Sequence, residues 1–578
     1  MGVRSTVSLT MERDVAVPMR DGVTLYADVL RPAGPGPFPT LLTRTPYDKG
    51  GQSSLPMNVR WATAGYAVVI QDVRGRFNSD GAFYAFVNER QDGYDTLDWL
   101  AAQPWCNGRI GMFGGSYVGL TQWQAAMSGH SALQAIVPNV TASDYHNGWA
   151  WQGGAFELGF NLSWTQSVLA VNSTIRAAGS PHAPEVHALY DAVDAMPESF
   201  DQLPLSANEH FSRYARYYND WLAHPDYDGY WETLDVRTAY ERMTVASLNI
   251  GGWHDIFQNG TIENFTGMAA ANGAERHQLV MGPWNHGGMR SGNPIGNVDF
   301  GVRSTGGYID EGGLHLRWYD RWLRDIDTPD ESDAPVRLFT MGRNRWRTAE
   351  AWPLPDTDWQ DWHLHSDGRA NTLHGDGTLT RNAAGHEPAD HYVYNPRDPV
   401  PTHGGGLCCN NVFTLGGAWD QREIEARPDV LVYTTAPLTE PLEVTGPVRL
   451  VLHVASSAVD TDFTAKLVDV GPCGFARNLT DGIQRARYRN DPRTPELLTP
   501  NEPVELIIDL WSTSNLFEVG HAIRLEVSSS NFPRFDRNLN TGGSIADGTE
   551  MQVALQTVLH SSVHPSRLVL PVVPSPAD

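Results

Sequence analysis

The stretch Arg109-Ile110-Gly111-Met112-Phe113-Gly114-Gly115-Ser116-Tyr117-Val118-Gly119-Leu120 decides how this chain is read. A short apolar run leads into two glycines and a serine, and a helix-like stretch continues through Trp123. Strand, tight turn and helix together hold a serine at a strained corner with its hydroxyl exposed, and small neighbours are needed because strand and helix approach closely. At such a corner the Tyr117 amide lies at the helix N-terminus, where it can bind a developing oxyanion. The usual elbow has glycine two residues after the serine. Here Val118 takes that place and Gly119 comes one later. A serine in a glycine-rich turn is more often a turn residue than a nucleophile, so the motif has to be judged by what surrounds it.

Outward from the elbow, short apolar runs recur at Thr40 to Leu42, Tyr66 to Val73, Leu133 to Pro138, Ala246 to Ile250 and Gln278 to Met281. Runs of this kind, separated by helix-like stretches, predict strands buried on both faces of a parallel, doubly wound sheet. One helix is expected over Asn88 to Gln103, ended by Pro104, and another over Leu314 to Leu323. Val15 to Leu30 alternates around Asp21-Gly22 and predicts an antiparallel hairpin at the start. From about Ala142 to Glu241 the rhythm stops and the chain becomes rich in aromatics, as expected for a mostly helical cap. After about Asp356 the runs Val448 to Val454, Ala465 to Val470, Val504 to Leu510 and Ile523 to Ser528 are β-like and divided by turn residues, which points to a jelly-roll sandwich.

A serine hydroxyl is a weak nucleophile: an imidazole must take its proton, and a carboxylate must hold that imidazole in one tautomer. In this kind of fold the chain order is serine, acid, histidine. Asp255, in Gly251-Gly252-Trp253-His254-Asp255, follows one apolar run, and His286, in Gly282-Pro283-Trp284-Asn285-His286-Gly287, follows another. Both fall at the carboxyl ends of expected strands, where ligands gather in open α/β sheets. Taken singly, Asp255 could be a helix cap and His286 one of 20 ordinary histidines. His254 competes as the base, but its neighbour Asp255 would direct it elsewhere.

The chain has 578 residues, more than one core can serve, with 41% hydrophobic and 19% charged residues. A formal charge of −25, with the acids scattered, disfavours a nucleic-acid partner. No stretch reaches membrane-spanning length. The four cysteines show no zinc-type spacing; adjacent Cys408 and Cys409 are poor candidates for a mutual disulfide, and such sparse usage suits a reducing compartment. Met1 to Gly22 lacks the apolar run of a secretory signal, so a cytoplasmic location is expected. His363 and His365 alternate without a third ligand, and neither metal nor organic cofactor is expected.

Gly-Gly-Ser116-Tyr-Val-Gly, Gly-Trp-His-Asp255 and Gly-Pro-Trp-Asn-His286 resemble the cocaine esterase family of acyl hydrolases, relatives of X-prolyl dipeptidyl aminopeptidase and the α-amino acid ester hydrolases. Arg20-Asp21-Gly22-Val23, Asp72-Val73-Arg74-Gly75-Arg76 and Ser529-Ser530-Asn531-Phe532-Pro533-Arg534 extend the resemblance over nearly the whole chain. It implies an α/β-hydrolase domain (1–143 and 243–352), an inserted helical cap (144–242) and a C-terminal jelly-roll β-sandwich (353–578). It also implies that Val118-Gly119 is the family's own form of the elbow. By the same resemblance Tyr47 joins the Tyr117 amide as oxyanion donor, and Trp151, Trp164, Phe257 and Leu407 wall the acyl pocket.

In the α-amino acid ester hydrolases, acids that bind a substrate ammonium follow soon after the catalytic aspartate. Phe257 and Gln258 stand there in this chain, against an obligatory α-amino substrate. The expected function is a serine esterase acting on small-molecule esters or amides through an acyl-enzyme, with a homodimer left open. Two rivals are kept: an exopeptidase binding a free N-terminus through Glu157 or Asp144, and a binding protein with a vestigial triad.

Overall fold

Strands covered by helices on both faces bury every residue, and three of the apolar runs do so in full: Ala67–Asp72, Ala246–Gly252 and His277–Gly282. The computed structural model describes residues 7–51, 55–327, 334–409 and 416–574. Its first sheet contains β1 (Leu9–Pro18), β2 (Thr24–Pro32), β3 (Phe38–Thr45), β4 (Ala67–Asp72), β5 (Cys106–Gly115), β6 (Leu133–Asn139), β7 (Ala246–Gly252), β8 (His277–Gly282), β9 (Val336–Thr340) and β10 (Arg345–Ala349). Their spatial order is β1-β2-β4-β3-β5-β6-β7-β8-β9-β10. Pairing is parallel from β4 through β9 and antiparallel at both ends. The expected hairpin is β1 with β2.

The alternation along these strands sorts side chains onto two faces. Leu42, Val69, Met112 and Ile136 join a core that includes Leu97 and Leu100 of α2 (Glu89–Ala101) and Leu120 and Trp123 of α3 (Tyr117–Met127). Their neighbours Leu41, Val68, Phe113 and Val137 join the opposite core, with Trp61 of α1 (Leu55–Thr63) and Tyr319 and Leu323 of α5 (Glu311–Arg324). Between β7 and β8 lies α4 (Gln258–Asn272).

The strand order reverses between β3 and β5. After β3 the chain turns to β4 on one side, and the later strands grow on the other, so the loops leaving β3 and β5 diverge and open a crevice at their carboxyl ends. Tyr47 lies on the first of these loops and Ser116 on the second.

The segment between β6 and β7 is helical, with helices at Leu158–Trp164, Ala170–Ala178, Pro184–Asp194 and Arg216–Ala223. The last part of the chain forms one eleven-stranded, largely antiparallel hydrogen-bonded sheet. Its core is built from alternate residues such as Leu450, Leu452 and Val454, or Leu506, Ile508 and Leu510. Two links fix this β-rich part against the rest. The Gln258 side chain donates to the Ser512 carbonyl at 2.5 Å and accepts from the Ser512 amide at 3.0 Å. Arg485, fully buried, pairs with Asp462 at 2.8 Å and Asp536 at 2.9 Å, and Asp536 accepts from the Phe156 amide of the cap at 2.6 Å. Removing one member of a buried ion network leaves its partners uncompensated, at a cost of about 3–5 kcal/mol. Arg485→Met is therefore expected to lower unfolding stability by about that amount in a guanidinium titration.

Candidate active site

At the end of β5 the backbone makes its corner at Ser116, which sits at φ 60° and ψ −127°, a conformation L-residues avoid. The Ser116 amide donates to the Asn139 carbonyl of β6 at 3.0 Å, and its carbonyl accepts from Gly119 at 2.8 Å and Leu120 at 3.0 Å. The corner is thus bonded on both sides. The offset glycine has a direct reason: a Cβ on Gly119 would stand 2.7 Å from the Thr141 Cβ. The helix touches the next loop at that position, one residue later than in the usual elbow, and Val118 is free to pack against Gly114.

Asp255 lies beyond β7 and His286 beyond β8. His286 Nδ1 and Asp255 Oδ1 are 2.7 Å apart. The carboxylate is fully buried and the imidazole 17% exposed. Asp255 Oδ2 has no hydrogen-bond partner among the described residues. Ser116, His286 and Tyr47 line one cavity of about 340 Å³. The competing base His254 is buried beside Phe300, and burial, aided by the charge of Arg477, holds its pKa down to about 3.

Tyr47 is held from two directions. Trp164 Nε1 of the cap donates to its phenolic oxygen at 3.2 Å, and Ser116 lies close enough to act on the phenol. Arg76, of the Asp72-to-Arg76 motif, donates to the Pro46 carbonyl at 2.8 Å and to the Leu169 carbonyl of the cap at 2.7 Å. A single guanidinium therefore fastens both the Tyr47 loop and the cap. Below the elbow, the Tyr117 hydroxyl donates to Glu89 at 3.0 Å, and Glu89 pairs with buried Arg44 at 2.8 Å. Sequence reasoning assigned no role to Arg76, Arg44 or Glu89, although the charged motif around Arg76 was visible.

Of the three aromatics expected to wall the acyl pocket, Trp164 and Phe257 both meet Trp149, and Trp151 lies apart from them. Phe257 stands edge-on to the His286 ring at 5.2 Å and stacks on Trp149 at 4.2 Å; Trp149 in turn meets Trp164 at 5.6 Å. Trp151 points elsewhere, its ring against His146 and Phe156. Residues 146–150 form a turn closed by bonds from the Ala150 and Trp151 amides back to the Tyr145 and His146 carbonyls, so the strand rule that puts positions two apart on one face does not apply, and Trp149, not Trp151, reaches Phe257 beside the imidazole. Leu407 is nearly buried in a loop of the β-rich part; a Cβ on the preceding Gly406 would lie 3.1 Å from the Asp255 carbonyl.

A second correction concerns Cys408 and Cys409, which form a disulfide instead of two free thiols. Cys409 sits at φ 64°, and that turn lets adjacent side chains face each other. The two sulfurs and a His286 ring nitrogen lie within 4.8 Å of one another. The expected strand bearing His363 and His365 is present, with His365 bonded to Glu387 at 2.8 Å.

Residues 21–288 match the family described as X-Pro dipeptidyl-peptidase (S15 family), and residues 330–569 match the X-Pro dipeptidyl-peptidase C-terminal non-catalytic domain. Over 97% of its length the chain is 42% identical to cocaine esterase of Rhodococcus sp. (strain MB1 Bresler), covering 98% of that protein. The chain belongs to the cocaine esterase-like family of acyl hydrolases. Among solved structures this family member is similar to an aminopeptidase from a marine sediment Thaumarchaeota archaeon (TM-score 0.81, 27% identity, 99% of each chain). It is equally similar to an α-amino acid ester hydrolase (TM-score 0.81, 27% identity, 99% of this chain and 98% of that one). An α/β-hydrolase-type domain with a C-terminal β-rich domain is the shared architecture.

In this cocaine esterase-like chain both carboxylates weighed for binding a free N-terminus are engaged by arginine. Asp144 pairs with Arg237 at 2.6 Å, and Glu157 lies 3.6 Å from Arg534. Burial raises the Tyr47 pKa to about 12, against the opposing pull of Trp164 and Ser116. The phenol therefore keeps its proton throughout the working range. A difference absorbance titration at 295 nm between the wild type and Tyr47→Phe is expected to show no phenolate from this residue below about pH 11.

Proposed function

We propose that this chain cleaves carboxylic esters of small molecules, and amides more slowly, through an acyl-enzyme on Ser116. One observation carries the reading: an imidazole held at Nδ1 by a buried carboxylate lines the same cavity as a serine at a strained strand–helix corner. His286 takes the Ser116 proton as the hydroxyl attacks the acyl carbonyl, and Asp255 fixes the ring and stabilises the imidazolium. The Tyr47 hydroxyl and the Tyr117 amide donate to the oxyanion. His286 then protonates the departing alcohol, and water repeats the sequence to release the acid. No step requires a metal or an organic cofactor.

The aromatic group Trp149, Trp164 and Phe257 beside the imidazole supports an apolar acyl substituent, with Leu407 on the β-rich side. An exopeptidase reading is weaker, because Asp144 and Glu157 already hold arginines and neither is a free ligand for an ammonium. We further propose a jelly-roll form for residues 353–578, a cap over 144–242 between the two hydrolase segments, and a cytoplasmic location. Among the described residues no helix is long and apolar enough to cross a membrane.

The test compares aryl esters of increasing acyl size with an X-Pro amide, in the wild type and in Ser116→Ala. Ester turnover well above amide turnover, abolished in Ser116→Ala together with fluorophosphonate labelling, is the expected result. Full activity in that variant ends the reading, and a missing label in the wild type favours a vestigial triad. Tyr47→Phe is expected to lower kcat about a hundredfold or more, with a much smaller change in KM.

A further inference from the structure

The cavity that holds Ser116 and His286 continues to a second polar patch that the chemistry above does not use. Trp61 of α1 and His315 and Glu311 of α5 line it, with Phe113, Val140 and Met289 as apolar wall. Trp61 and His315 are stacked, ring centroids 5.7 Å apart and 14° from parallel, so they form a single patch. His315 is 3% exposed, yet neither ring nitrogen has a hydrogen-bond partner among the described residues, and the same holds for Trp61 Nε1. Buried polar atoms in native proteins nearly always have partners. A side chain left in this condition on a cavity wall is placed to receive one from whatever occupies the cavity.

The chemistry of the patch limits what that partner is. Burial, with the charge of Arg290 adding to it, holds the His315 pKa at about 3, so the ring is neutral and offers one donor and one acceptor. Glu311 and Arg290 line the same space with opposite charges, and Arg290 acts on the Glu311 carboxyl to offset the rise that burial causes. The patch therefore favours neither a carboxylate nor an ammonium. We propose that this cavity is a substrate subsite in which His315 hydrogen-bonds a neutral polar group, a hydroxyl, ketone or carboxamide, carried on an apolar stem of the ester. The proposal rests on the ester-hydrolase reading and adds to it the class of substituent selected.

Two substrate pairs test it on the full chain. On the acyl side, p-nitrophenyl 5-oxohexanoate is compared with p-nitrophenyl hexanoate; on the alcohol side, 6-hydroxyhexyl acetate is compared with hexyl acetate. In the wild type at least one pair is expected to favour the polar-tipped ester by about tenfold or more in kcat/KM, and the pair that does so tells which half of the ester enters the cavity. His315→Phe should bring that ratio close to one, whereas His315→Gln, which keeps a donor and an acceptor, should retain more of it. Ratios near one in both wild-type pairs overturn the subsite, as does a ratio that survives His315→Phe. If circular dichroism shows that His315→Phe does not fold, the wild-type ratios decide alone. Hydrolysis of p-nitrophenyl acetate and fluorophosphonate labelling of the wild type are run alongside. Their loss overturns the esterase reading and the subsite together, and their presence with flat ratios overturns the subsite only.

Discussion

The backbone at Ser116 is the constraint on which the rest is arranged. A non-glycine residue at φ 60° costs of order 1–3 kcal/mol and persists only where its surroundings fix it. Parallel pairing of β5 with β3 and β6 fixes the strand side. On the other side the first turn of α3 bonds back to the Ser116 carbonyl. The gain is positional. The hydroxyl stands at the carboxyl edge of the sheet, at the reversal of strand order, where the loops from β3, β7 and β8 all arrive. Tyr47, Asp255 and His286 each need only a short loop to reach it.

Much of this was legible in the sequence, because strand, elbow and helix signals are local. The apolar runs became β3 to β8, and Ser116, Asp255 and His286 came from the residues immediately following three of them. The pocket walls were less legible, since they depend on side-chain direction. Trp149 and Trp151 are equivalent as residue types, and only the local backbone decides which indole meets Phe257. The Cys408–Cys409 pair failed for a related reason: adjacent cysteines are ordinarily directed apart, and a turn at positive φ reverses that. His315 carries no motif. Its interest comes from being left unpartnered in a cavity, which no spacing rule reports.

The chain is acidic overall, yet its interior is organised by arginines. Arg44, Arg76, Arg485 and Arg534 are each at most 1% exposed. Arg44 and Arg485 sit on carboxylates, Arg534 on Asp481 at 2.5 Å, and Arg76 on main-chain carbonyls. A planar guanidinium can satisfy several acceptors in fixed directions, which suits junctions between structural layers. Arg534 connects the β-rich part to Glu157 of the cap, and Arg485 reaches Asp536, which binds the cap backbone. Packing of three sequence segments is thus specified by directional contacts as well as by apolar area.

Arg76 joins two parts of the protein that substrate access would separate. Its guanidinium spans the carbonyl next to Tyr47 and a carbonyl of the cap helix, while Trp164 from the same cap bonds the Tyr47 oxygen. Lifting the roof to admit a bulky molecule would pull on the Tyr47 phenol itself. If Tyr47 serves the oxyanion as proposed, a raised cap and a fully polarised carbonyl become mutually exclusive, and turnover belongs to the shut form, where bulk solvent has least opportunity to intercept.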